Sequence, residues 1–235
     1  MSGTADEAEV RKFNALAAEW WDPMGPMRPL HAMNPLRIGW IAERLRRRGG
    51  PAGLSVLDVG CGAGLASEAL ARLGCEVTGL DAAPDALAAA RAHAEAGGLR
   101  IAYRQGGPED LAAEGARFDA VVALEVVEHV ADRAAFCAAL AALAKPGAPV
   151  FLSTLNRTAR SFLKAKVGAE YLLRLLPVGT HDWRQFPTPG ELGTALRRAG
   201  LRPVDIAGMV MDPLTGHWRE SRDVSVNYIM MAERG

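Results

Sequence analysis

Cysteine is scarce in this chain of 235 residues, occurring only at 61, 75 and 137. An odd count without metal-ligand spacing argues against a disulfide framework, and a reducing, cytoplasmic setting is expected. No charge of one sign dominates. Lys plus Arg and Asp plus Glu both number 27, which argues against a nucleic-acid binder relying on a broad basic surface and leaves only a local basic patch open. Long apolar runs are missing too. The longest uncharged helical candidate, residues 134–144, is far short of the roughly 20 residues that span a bilayer. The opening "MSGTADEAEVRKF" is polar and acidic, so no secretory signal is expected. Repeats and low-complexity linkers are absent, and the length fits one domain over 1–235.

Strand and helix signals alternate from residue 54. Strands are expected at 54–59, 76–80, 100–103, 118–124 and 148–154, with helices at 65–73, 84–96 and 132–144. Short apolar runs separated by helical segments indicate buried parallel strands with right-handed crossovers. Further helices are expected at 4–20, 33–48 and 188–199, and strands near 202–209 and 224–232. The expected fold is α/β: a doubly wound, mostly parallel, seven-stranded Rossmann-like sheet. It carries an N-terminal helical extension (1–50) and an insertion after strand 5 (157–187). The arginines of "RLRRR" at 44–48 suit the C-terminus of the second helix better than they suit nucleic acid.

The stretch "VLDVGCGAGLASEAL" is the most informative. A strand ends at Asp58-Val59, glycines follow at 60, 62 and 64, and a helix begins. Such glycines let the backbone turn sharply and let a ligand approach it closely. The dinucleotide pattern G-x-G-x-x-G fails, because position 65 is Leu. Asp58 stands two residues before Gly60, where a carboxylate repels phosphate and attracts an ammonium group. The second strand ends "VTGLD", which puts Asp81 where an acidic side chain accepts hydrogen bonds from ribose hydroxyls. An ammonium at one end and a ribose beyond it describe an amino-acid nucleoside such as S-adenosylmethionine (SAM). Cys61 reads as a small turn residue.

With these residues, "FDAVVALEVVEHV" and "LAKPGAPVFLSTLNR", the chain from about residue 50 onward resembles class I SAM-dependent methyltransferases. The resemblance implies that Asp58 and the backbone of Gly60 and Gly62 hold the methionine part, that Asp81 holds the ribose, and that Leu124 lies beside the cofactor. "QGGPEDL" (105–111) falls where such enzymes flank the adenine.

Two flanking stretches, "FNALAAEWWDPMGPMRPLHAMNPLR" (13–37) and "VGAEYLLRLLPVGTHDWRQF" (167–186), are similar to the O-methyltransferases of ubiquinone biosynthesis over nearly the whole chain. This implies methylation of polyprenylated catechol and phenol intermediates and places the cofactor's carboxylate on Arg37. An Arg beyond a Pro-pinned turn suits bidentate carboxylate capture; a surface Arg on a helix is the plainer alternative. Trp20-Trp21 are expected to pack, with a share in closing a lid over the cofactor as a second role. In "RSFLKAKVGAEYLLRLLP", Phe162, Ala165, Ala169, Leu172 and Leu176 recur at helical steps beside Arg160, Lys164, Lys166 and Arg174. That stripe covers the domain's own core or rests on an anionic membrane surface. A bilayer-resident polyprenyl substrate favours the membrane, and with it a peripheral place on the inner face and contact with a ubiquinone-biosynthesis complex.

A phenol with a pKa near 10 is only about one part in a thousand ionised at neutral pH, so a base or a metal ion is needed. "EVVEH" (125–129) follows the fourth strand, where ligands bind in open α/β sheets. If it turns helical, Glu125, Glu128 and His129 share one face and suit Mg²⁺, Mn²⁺ or Zn²⁺. The resemblance adds that eukaryotic relatives are associated with a divalent metal. An acid/base role in the pocket is the other reading. His181, and more weakly His31, are alternative bases. The rival functions are methylation of another small phenol or catechol, and a non-catalytic SAM-binding subunit.

Overall fold

The computed structural model describes residue 4 and residues 7–161, 183–212 and 215–235. An eight-stranded sheet runs β1 (Ser55–Val59), β2 (Glu76–Asp81), β3 (Ala102–Gln105), β4 (Ala120–Leu124), β5 (Pro149–Leu155), β6 (Leu201–Met211), β7 (Trp218–Ser221) and β8 (Asn227–Arg234). In space the order is β3-β2-β1-β4-β5-β8-β6-β7. The first five strands pair in parallel, whereas β8 is antiparallel to both β5 and β6, and β7 is antiparallel to β6. The expected doubly wound sheet is therefore present with one strand more than the seven anticipated. The extra strand, β7, is only four residues long and half-exposed, too short and too polar for an apolar run to announce it.

The helices are α1 (Glu7–Ala15), α2 (Arg28–Arg46), α3 (Leu65–Arg72), α4 (Pro84–Ala96), α5 (Pro108–Ala113), α6 (Arg133–Leu143) and α7 (Pro189–Arg198). The N-terminal helix expected over 4–20 is split: α1 ends at Ala15 and a 3-10 turn follows at Ala17–Glu19. Helix α2 starts at 28 rather than 33, with a proline in its first turn, where the missing N–H costs no bond, and carries Pro35 inside. Helix α5, six residues starting at Pro108, lies in a stretch too short to show a helical period.

Strand side chains alternate between two cores, as the period of two demands. Leu57, Val59, Val121, Ala123, Val150 and Leu152 pack with Leu111, Phe136, Leu140, Leu192 and Leu196 of α5, α6 and α7. Val56, Val77, Ala120, Val122, Leu124 and Phe151 pack with Ile41, Leu45, Ala66 and Leu70 of α2 and α3. Burial on both faces explains why these strands read as unbroken apolar runs. The chain leaves β1 in one direction for β2 and β3 and returns on the other side as β4. The carboxyl ends of β1 and β4 thus flank the switch point, where the strand order reverses and a ligand crevice opens.

Candidate active site

The turn after β1 is built on glycine for steric reasons. Gly60, Gly62 and Gly64 have φ of 68°, 53° and 89°, in the left-handed region that side chains avoid. A Cβ at Gly60 would strike the Val126 side chain, and one at Gly62 would strike the Trp20 ring. The turn after β1, the turn after β4 and the N-terminal segment therefore meet at these two glycines. Trp20 is buried against the loop, which is the expected packing role.

Asp58 and Asp81 end adjacent strands. Asp58 is buried and accepts a hydrogen bond from Ser67 Oγ at 2.6 Å. Burial pushes its carboxyl up to about 6; the Ser67 hydrogen bond and the charge of Arg37 pull the other way. Asp81 accepts from the Gly62 N–H at 2.7 Å and the Ala83 N–H at 2.8 Å. Burial raises its carboxyl above the ordinary value against the pull of those backbone donors. One carboxylate thus holds the glycine turn to the end of β2.

Arg37 is buried on α2, not a surface arginine. Its Nη2 donates to Asn34 Oδ1 at 3.3 Å, its Nη1 lies 3.8 Å from Glu125 Oε1, and its Nε has no partner. Desolvation lowers its pKa, while the charges of Glu125, Asp58 and Glu128 raise it. A buried guanidinium with one long hydrogen bond and an orphaned Nε is under-satisfied, and its planar fork matches a carboxylate. One buried cation faces the buried carboxylates of Asp58 and Glu128 and the partly buried one of Glu125. A ligand bearing a carboxylate for Arg37 and positive charge for the acids would balance the group.

The EVVEH stretch is not helical. It forms a turn directly after β4, and Glu125 sits at φ 58°, the only non-glycine residue with positive φ among those described. Glu125 N donates to Ser153 O at 2.9 Å, and Ser153 Oγ donates to Glu125 Oε1 at 2.5 Å. Glu128 accepts from Thr154 Oγ1 at 2.8 Å. Ser153 and Thr154 are consecutive on β5, so their side chains leave opposite faces of the sheet. His129 turns elsewhere again, with Nδ1 2.9 Å from Glu9 Oε2 on α1. Burial works to lower the His129 pKa, yet the Glu9 hydrogen bond and the charges of Glu128 and Glu9 raise it overall.

This corrects the expected ligand set. Glu125, Glu128 and His129 do not share a face, and no group of three metal-ligating side chains occurs among the described residues. The described residues of this stretch do not fit a metal ion. Leu124 ends β4 and is buried, in register with Ser153. His31 is tied to the Trp20 carbonyl at 2.9 Å, and His181 lies outside the described residues. Sequence reasoning missed Glu9, Asn34, Ser153 and Thr154. Asn34 had a signal, three residues before Arg37 on one helix, and so had the polar pair ending an apolar strand; Glu9, 120 positions from His129, had none.

A family model described as a methyltransferase domain matches residues 34–206. The ubiquinone biosynthesis O-methyltransferase of Cereibacter sphaeroides is 52% identical over 242 residues, covering 99% of this chain and 98% of that protein. The protein of the same name from Azorhizobium caulinodans is 48% identical, covering 99% and 95%. Among solved structures, magnesium protoporphyrin IX methyltransferase from Synechocystis PCC 6803 with bound SAH superposes with a TM-score of 0.70 at 22% identity, covering 98% of this chain and all of that one. A SAM-dependent methyltransferase from Thermotoga maritima gives 0.69 at 14% identity, covering 96% and 99%. These structures are similar in fold. With about half of its residues shared along nearly its full length, the chain belongs to the ubiquinone biosynthesis O-methyltransferase family.

Proposed function

We propose that this chain is a SAM-dependent O-methyltransferase acting on hydroxyl groups of polyprenylated catechols and phenols in ubiquinone biosynthesis. The observation that carries the cofactor assignment is Arg37, buried with an unpartnered Nε opposite Asp58 and Glu125. A cation and carboxylates so placed match the two ends of an amino acid. In this assignment Arg37 takes the methionine carboxylate, Asp58 the ammonium, and the Gly60 and Gly62 backbone the methionine chain. Asp81 takes the ribose hydroxyls, and Leu124 packs beside the cofactor. The excess of buried acid favours the sulfonium form over the demethylated product, which carries one positive charge less.

SAM supplies an activated methyl group, and transfer to oxygen is an in-line displacement in which positioning provides much of the rate. The protein must also handle the phenol's proton. Glu128 is the candidate base. It is buried in the turn after β4, bonded to a hydroxyl rather than a cation, and burial, helped by the charge of Glu125, pushes it up to about 7. A base near the working pH accepts a proton efficiently.

The prenylated substrate also motivates the membrane reading of the basic amphipathic stretch. Arg160 is exposed and paired with Asp223 and Ser225, and the rest of the stretch, from Phe162 to Pro177, lies outside the described residues. No helix among those described is long and apolar enough to cross a membrane. In this reading the chain, acting as one domain, rests on the inner face of the membrane and there meets other enzymes of the pathway. Methyl transfer to a prenylated catechol, compared with its unprenylated analogue and with another small phenol, tests the substrate class. Equal turnover on all three would displace the prenylated assignment, and SAM binding without transfer to any would favour a non-catalytic subunit.

A further inference from the structure

The described residues of the N-terminal stretch, Thr4 and 7–27, make contact after each of the first four parallel strands. After β1, Trp21 Nε1 donates to Ala63 O at 3.0 Å, and Trp20 lies against Gly62. After β2, Asn14 Oδ1 accepts from the Asp85 N–H at 3.0 Å, and the Trp21 ring stacks on His93 of α4 with centroids 3.4 Å apart. After β3, the Thr4 N–H donates to Glu109 Oε1 at 2.6 Å. After β4, Ala131 N donates to Thr4 O at 3.0 Å, Glu9 pairs with His129 at 2.9 Å, and the Phe13 ring meets the His129 ring edge-on. Ala63 and Ala131 lie in the loops after β1 and β4, and Asp85 and Glu109 in the first turns of α4 and α5, so one segment touches the carboxyl edge of the sheet after four strands.

We infer that this segment is a strap that must lift for cofactor to enter and leave, and that Glu9–His129 is its latch. The inference rests on the SAM reading above and assigns His129 as a positioning residue that acts through α1. The pair suits a latch. It joins α1 to the turn after β4, becomes an ion pair when His129 is protonated, and both side chains are mostly shielded, at 24% and 15% exposed. It is also flanked by Lys12 on α1, 3.5 Å from Glu9, which limits its strength by competition. The aromatic contacts of Trp20 and Trp21 anchor the other end of the strap by packing and dispersion.

Glu9→Ala and Asn14→Ala each remove one tie without touching the residues assigned to cofactor or substrate. Bound SAM chased by excess SAH, followed by the fluorescence of the strap's tryptophans, should leave about five-fold faster from Glu9→Ala, the effect of losing one partly shielded ion pair. Glu9→Gln, which keeps an acceptor for the imidazole, should fall between the unaltered protein and Glu9→Ala. Amide exchange should quicken across 7–27 and stay unchanged in β1, β4 and β5, which a general loss of stability would not produce. Faster exchange of the strap with an unchanged SAM off-rate would overturn the gating role. If the unaltered protein bound no SAM in calorimetry, the functional reading itself would fall and the strap with it. Normal SAM affinity with insensitive off-rates would sink the strap alone.

Discussion

Replacing Asp58 by Asn should move stability and cofactor affinity in opposite directions. Asp58 is buried at the end of β1, and its carboxyl rises from 3.8 to about 6 because ionisation there is poorly solvated. A carboxyl held protonated more tightly in the folded chain than in the unfolded one stabilises the fold at low pH, and that contribution is lost as pH rises through about 6. That rise corresponds to about 3 kcal/mol of destabilisation once the group is ionised. Asn is neutral, nearly isosteric, and can still accept from Ser67 Oγ. At pH 7.5 the Asp58→Asn protein should gain up to about 3 kcal/mol, which for a chain of this size raises Tm by up to about 10 °C. The gain should shrink at pH 5, where Asp58 itself carries a proton. SAM, whose ammonium loses its carboxylate, should bind about 30-fold more weakly or worse. Scanning calorimetry at both pH values and titration calorimetry with SAM measure the two effects. A lower Tm at pH 7.5, or a gain that persists undiminished at pH 5, would refute the reasoning about burial; unchanged SAM affinity would refute the ammonium assignment.

Asp81→Ala should abolish measurable SAM binding and loosen the glycine turn, because the Gly62 and Ala83 donors lose their acceptor; wild-type affinity would remove the ribose assignment. Glu128→Gln should lower kcat at least 100-fold with SAM affinity intact and flatten the acid limb of the kcat–pH profile near 7, whereas an unchanged profile would point to His181 or another base. Chelator should leave methylation of a prenylated catechol unaffected, since Glu125, Glu128 and His129 bond to three different side chains; loss of activity reversed by metal add-back would contradict this. Changing Phe162, Leu172 and Leu176 to Ser should reduce sedimentation with anionic liposomes, and equal sedimentation would count against membrane contact.

What the sequence revealed follows from how local each signal was. Strands β1, β4 and β5 are buried on both faces and announced themselves as apolar runs. The glycine turn and its two acids lie within 24 residues of one another, and their order alone favours an ammonium ligand over a phosphate. The metal reading of EVVEH depended on a helical backbone, while its acid/base reading did not. Three polar residues at helical intervals imply a shared face only if the backbone is helical, and Glu125 is instead held at positive φ by Ser153 across the sheet. The partners that decide its fate come from β5 and α1. Glu9 carries no mark that connects it to His129, and β7 and α5 are too short for periodicity to register.

The place of β8 has a consequence for synthesis. Residues 227–234 form an interior strand, paired on one side with β5 and on the other with β6. Until those residues have left the ribosome, β5 and β6 each present an unpaired edge, and the buried faces of Phe151 and Ala207 have no complete core to join. The parallel half of the sheet can assemble while translation proceeds, but the molecule cannot close until its final strand is made. Shortening the chain by this strand should thus yield aggregation rather than a smaller folded enzyme.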